Sequence, residues 1–193
     1  MHFTKYKKYF FIENFNPKKL KLLKKDISLI WRSKHNPENM DEILETAIFC
    51  KKYHRKFFLA NNVKLALNLK LNGAYISAYN KDCRFNNYIF HKNFKLIGSA
   101  HNLKDLKFKK NQNIEEIFIS PIFKKKHNFP LGIHKLNSLF DNFKGKKIAL
   151  GGINSKNLKL IKLKNFSGFA GIEYFSKKKG PWKGPFKYIL NLN

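Results

Sequence analysis

The sequence predicts a parallel eight-stranded (β/α)8 barrel, the TIM-barrel class. Three observations carry that reading. Short apolar runs alternate with helical patterns along the whole chain. The runs are continuously apolar, as in parallel strands buried on both faces, and do not alternate with polar residues. Eight such runs can be placed, and eight βα units argue closure into a barrel. The 193 residues, 43% hydrophobic, suit one domain with a full core and lean loops.

The elements follow in order. KYFFIEN is a strand. NPKKLKLLKK is a helix with Asn16 as N-cap and Pro17 at its first position. ISLIWRSK is a strand. NPENMDEILETAIFCKKY is the strongest helix pattern: Asn36 caps, Pro37 opens, acids fill the first turn, and Ile43, Ala47, Ile48 and Cys50 form the stripe. KFFLAN is a strand and NVKLALNLKL a short helix. GAYIS is a strand, and residues 81–94 are ambiguous. KLIGSAH is a strand and NLKDLKF a helix. EEIFISPIF is a strand and HKLNSLFDNF a helix. KKIALGG is a strand, with NSKNLKLIKL a helix capped by Asn154 or Ser155. GFAGIEYF is the last strand. Residues 177–193, with two Gly-Pro pairs, read as a basic loop before a short terminal element of the same 1–193 domain.

Composition bounds the function. No run of 18 apolar residues exists, so no transmembrane helix is expected. The basic N-terminus lacks a small-residue cleavage site and reads as a first strand. Two cysteines, Cys50 and Cys83, supply neither a disulfide framework nor a zinc site, which fits a reducing cytoplasm. The net charge is +28, but of the 40 basic side chains only Arg32, Arg55 and Arg84 are arginine. The lysines are spread along the chain, which fits a solvated surface better than a nucleic-acid stripe. Anionic small substrates are attracted in either case.

In a barrel of this class the active site lies on the loops after the strand C-termini. The predicted strand ends carry Arg32 and Lys34, Asn61, Ser77 to Asn80, Ser99 and His101, Ser120 to Lys126, Gly151-Gly152 and Ser176. That ring is polar, small and cationic, with almost no acid, and so resembles a phosphate mouth. Arg32 and Lys34, two apart on one strand, share a face. IALGGINSKN is the sharpest segment: glycines admit an anion to backbone N–H groups, and a helix start adds donors. The alternative there is a plain tight turn. Lys124 and Lys126 either close over a phosphate or form a solvated loop. No H-x-x-x-H, C-x-x-C or G-x-S-x-G pattern is present.

The ordered set LANNVKLALNLKLNGAYIS, IGSAHNLKDL, IFISPIF followed by LGIHKL, IALGGINSKN and GFAGIEYFS resembles the thiamine phosphate synthase and thiazole tautomerase superfamily over about residues 26–176. The resemblance implies coupling of a hydroxymethylpyrimidine diphosphate to a thiazole phosphate, with Mg²⁺ and cations stabilising the departing diphosphate. It implies catalytic roles for Arg32, Lys34 and Ser99. It implies substrate or phosphate contacts from Asn61, Asn80, Lys124, Lys126, Gly151, Gly152, Phe175 and Ser176. The family's metal aspartates correspond to Asn61 and Asn80, so no protein metal ligand is expected and Mg²⁺ enters only with a diphosphate. Pro121 stands where the tautomerase has a histidine, which argues against tautomerase chemistry. Phosphorylated small molecules are the expected partners. The alternatives are a non-catalytic phosphate or precursor binder of the same fold and a basic nucleic-acid-associated barrel.

Overall fold

The computed structural model describes residues 6–35, 39–123, 140–162, 165–171 and 175. Eight parallel strands close into a barrel in sequence order. They are β1 (Lys7–Ile12), β2 (Ile27–Trp31), β3 (Phe57–Ala60), β4 (Gly73–Ile76), β5 (Lys95–Ala100), β6 (Glu116–Ile119), β7 (Lys146–Leu150) and β8 (Gly168–Ala170). β8 returns to pair with β1, Lys7 opposite Gly168, so no sheet edge is left open. The expected (β/α)8 barrel is therefore the observed fold.

The described helices are α1 (Pro17–Leu22), α2 (Met40–Lys52), α3 (Val63–Asn68), α4 (Leu103–Asn111) and α5 (Leu158–Lys162). The first four are each capped by an asparagine: Asn16, Asn39, Asn62 and Asn102 accept from the N–H three residues on. That satisfies one orphan donor per helix and fixes where each strand-to-helix loop ends. In α2, Asp41 and Glu42 sit at the positive end of the helix and Lys51 and Lys52 at the other. Arg55, buried after α2, donates to the carbonyls of Leu20, Leu23 and Lys24 and so closes the C-terminal end of α1.

Four expectations are corrected. β2 stops at Trp31, so Arg32 and Lys34 lie beyond the strand. The cap of α2 is Asn39, not Asn36, because the Asn39 side chain meets the Glu42 N–H; Asn36 and Pro37 lie outside the described residues. Its buried stripe is Ile43, Thr46, Phe49 and Cys50, and Ile48 is 68% exposed. β8 spans three residues, not eight. Beyond it, the ring of Phe175 stacks on Phe169 at 5.6 Å.

The interior of the barrel is one apolar cluster with a residue from every strand, the large ones being Tyr9, Phe58, Tyr75 and Phe118. Phe118 meets Tyr9 at 4.9 Å and Tyr75 at 5.5 Å, both edge to face. This aromatic column fills the bore, so a ligand can sit only above it. Below it, Glu116 is buried, ion-paired to Lys7 and accepting from the Tyr9 hydroxyl at 2.5 Å. Burial first, then this carboxylate, pushes the Tyr9 phenol far up, so it stays a donor. A second and larger core separates the barrel from its helices.

Candidate functional site

The C-terminal ends of β2 and β3 open into a cleft of about 470 Å³. Trp31, Leu59 and Leu65 supply its apolar lining, and Arg32, Lys34, Asn61 and Tyr79 its polar side. Arg32 and Lys34 are exposed, as their position past the strand end requires. The Arg32 guanidinium lies 5.7 Å from the centroid of the Phe11 ring, on the top layer of the barrel filling. It is thereby held over the mouth by a cation–π contact, and among the described residues it forms no ion pair. An apolar recess with cations at its lip suits a flat organic ring carrying an anionic group.

Asn61 sits at the hinge of this cleft. It follows β3 with φ of 60°, a left-handed conformation that asparagine tolerates. Its side chain is fully engaged. Oδ1 accepts from the Ser77 N–H at 2.9 Å and from Asn80 Nδ2 at 3.4 Å, while Nδ2 donates to Ser77 Oγ at 3.0 Å and to the Tyr79 hydroxyl at 2.8 Å. A second cleft of about 250 Å³ adjoins the first through Asn61 and Asn62 and continues past Asn80 to Asp82 and Arg84. Asn80 Oδ1 accepts from the Asp82 N–H. Asp82 is in turn forked by Arg84, which holds its carboxyl below the usual range.

These donors do not fit a divalent cation. Both amide oxygens already accept hydrogen bonds, and the neighbouring carboxylate of Asp82 is neutralised by a guanidinium. Among the described residues no group of three or more His, Cys, Asp or Glu could hold a metal. Mg²⁺ selects hard anionic oxygens in octahedral array, which this cluster lacks.

Ser99, on β5, is buried and hydrogen-bonded to the side chain of Tyr75. It lies in the wall just under the mouth, facing the aromatic column. His101, after β5, is exposed; its Nδ1 lies 2.6 Å from the Ser120 carbonyl. A carbonyl only accepts, so Nδ1 carries a proton. Its N–H is held by Asp105 at 2.9 Å.

Gly151 and Gly152 both take positive φ, 95° and 67°. A Cβ on Gly151 would lie 3.1 Å from Pro121, and one on Gly152 2.8 Å from Phe123. The pair therefore lets the end of β7 pack directly on the end of β6. The expected helix start at Asn154 is corrected to Leu158. The intervening turn is closed on itself: Asn157 accepts from the Asn154 N–H, and Asn154 from the N–H groups of Lys156 and Asn157. The Asn154 N–H expected for a phosphate is thus already used, which narrows the anion donors in this loop. Phe175 is turned away from the mouth, against Phe169 and Phe10. Lys124, Lys126 and Ser176 lie outside the described residues.

Several contributors escaped the sequence reading. Trp31 reads as plain core, yet it also lines the cleft. Tyr79, inside the predicted strand end Ser77 to Asn80 but given no role there, is 75% exposed and joins the mouth through its hydroxyl. Lys109 and Gln112 of the α4 region, 0% exposed, lie past the predicted helix NLKDLKF and are not singled out in the sequence. Only the three-dimensional placement of Gly98 opposite Lys109 reveals them.

Comparison with known proteins agrees with this geometry. The family model described as thiamine monophosphate synthase matches residues 20–175. A thiamine-phosphate synthase of Prochlorococcus marinus (strain AS9601) is 26% identical over 160 residues, 81% of this chain and 45% of that protein. One of Helicobacter pylori (strain J99) is 30% identical over 142 residues, 70% of this chain and 64% of its own. The chain thus spans less than half of the first relative and under two thirds of the second. Among solved structures, thiamine phosphate pyrophosphorylase from Pyrococcus furiosus superposes with a TM-score of 0.72 at 19% identity, covering 88% of this chain and 86% of its own. With most of the barrel inside the family match, the chain belongs to the thiamine monophosphate synthase family.

Proposed function

We propose that the protein is a thiamine phosphate synthase-type transferase that couples a hydroxymethylpyrimidine diphosphate to a thiazole phosphate. The observation that carries this reading is the cleft at the ends of β2 and β3, where an apolar recess of Trp31, Leu59 and Leu65 meets the cations Arg32 and Lys34. The pyrimidine ring occupies the recess and its diphosphate faces the cations. The C–O bond to the diphosphate breaks, its electron pair leaving with the diphosphate. The resulting pyrimidine-methyl cation is captured by the lone pair of the thiazole nitrogen. Arg32 and Lys34 stabilise the negative charge that grows on the leaving group, which is where fixed positive charge lowers a barrier. The filled bore beneath the mouth keeps water from reaching the cation from below. Any Mg²⁺ arrives bound to the diphosphate, since the amide pair of Asn61 and Asn80 does not suit it. The glycine turn at Gly151-Gly152 receives the thiazole phosphate, with Lys124 and Lys126 as the counter-charges that the family resemblance implies.

A second reading is a binder of the same phosphorylated precursors without turnover. One observation favours it: Ser99 is buried and paired with Tyr75. A coupling assay with both phosphorylated precursors, with and without Mg²⁺, separates the two. Product formation above the uncatalysed rate supports the transferase. Binding of the diphosphate without product supports the binder, and neither binding nor product removes both.

A further inference from the structure

Lys109 lies on the face of α4 turned to the barrel, and its side chain has no exposed surface. Lysine is almost never fully buried without a compensating partner. Its stem runs past Gly98 of β5, where a Cβ would stand 3.4 Å from the lysine Cδ, at van der Waals contact. The ammonium donates to the Asn80 carbonyl and to Gln112 Oε1, each at 2.7 Å. Gln112, also fully buried, donates from Nε2 to the carbonyls of Asn80 at 3.1 Å and Asp82 at 2.7 Å. Three hydrogen bonds thus converge on one short turn and a fourth joins the pair, and the acceptors of the buried charge are neutral carbonyl oxygens.

An apolar side chain would fill the space between α4 and β5 without the desolvation cost of a charge. What the polar pair adds is a fixed position for the turn Tyr79–Asp82. That turn holds the cleft wall: Tyr79 accepts from Asn61, and Asn80 donates to it.

We propose that Lys109, with Gln112, is a positioning residue pair that locks the Tyr79–Asp82 turn against α4 and so sets the Asn61–Asn80 side of the diphosphate cleft. What occupies the cleft rests on the transferase reading; the lock itself does not. Lys109→Met and Gln112→Leu each remove the polar end while keeping comparable bulk.

The test is amide hydrogen exchange across the full chain, together with calorimetric binding of inorganic diphosphate. In both variants the amides of Asn80, Asp82 and Arg84 should exchange roughly tenfold faster, the size of one charge-assisted hydrogen bond. Those of β1 and β3 should stay within about twofold of the parent, and diphosphate binding should weaken roughly tenfold. Should Lys109→Met fail to fold, Gln112→Leu carries the same test with the lysine left in place. Unchanged exchange in the turn, or a uniform loss of protection across the barrel, would overturn the lock. If the parent protein binds no diphosphate, the transferase reading fails while the exchange pattern still decides the lock.

Discussion

Asn80 donates its side-chain amide to the side-chain carbonyl of Asn61 at 3.4 Å, so the two residues form one neutral, self-satisfied pair at the mouth. Their Oδ1 atoms are engaged by the Asp82 and Ser77 N–H groups at 2.9 Å each. A metal ion would have to displace those bonds and would gain no negative charge in return.

The free protein should therefore show no Mg²⁺ binding at millimolar concentration. Asn61→Asp with Asn80→Asp should create binding in the millimolar range or tighter, because each carboxylate keeps the acceptor geometry and adds charge. If turnover exists, the double variant should respond more strongly to Mg²⁺. Titration calorimetry reads both proteins, and tight Mg²⁺ binding by the unaltered protein would mean that the ligands lie elsewhere.

Arg32→Ala and Lys34→Ala should each weaken inorganic diphosphate binding by roughly ten- to hundredfold, the range of a hydrogen bond to a charged group. Both side chains are exposed and lie past the end of β2, so melting temperatures should hardly move. Equal diphosphate affinity in the variants would place the anion elsewhere on the lysine-rich surface.

The alternation of apolar runs was legible because burying both faces of a parallel strand leaves only apolar residues to use. Helix starts were legible where one signal stood alone, as with Asn16 and Pro17. They were misread where two asparagines compete: Pro37 points to Asn36, while the hydrogen bond forms at Asn39. Strand ends were less legible, because an apolar run does not say which surface it covers. Phe175 continues the run of β8 but packs on the outer face of Phe169. The cationic lip of the cleft could be read from Arg32 and Lys34. Lys109 could not, because a buried lysine and a solvated one look alike in a helix that already carries Lys104, Lys107 and Lys110.

Gly152→Ala should destabilise the fold by about 2–5 kcal/mol. A left-handed backbone costs a residue with a Cβ about 1–2 kcal/mol, and overpacking adds about 1–3 kcal/mol. Here the new methyl would stand 2.8 Å from Phe123 Cβ and 3.0 Å from its carbonyl oxygen, which are not flexible side-chain ends. Urea denaturation measures the loss. A change below about 0.5 kcal/mol, the level of an indifferent surface site, would show that the β6–β7 contact yields freely.

Lys109 also predicts how stability responds to pH. Burial lowers its pKa from 10.5 to about 8, partly offset by Asp105 on its own helix and by Cys83 on the facing turn. Between those two values the unfolded chain holds the proton and the folded chain does not. Unfolding then takes up a proton, so stability rises with pH from about 8 toward 10.5. Below about 8 the full cost of the buried charge is present. Cys50 acts in the opposite sense, since burial pushes its thiol from 9.0 up to about 12 and stability falls with pH across that range. Subtracting the Lys109→Met curve from that of the parent cancels the cysteine and isolates the lysine. Urea denaturation at intervals from pH 7 to 10 should show a difference that is flat below about 8 and then tilts in favour of the parent. A difference with no tilt would mean that Lys109 keeps its proton in the folded protein, and that its carbonyl partners hold the ammonium more strongly than burial opposes it.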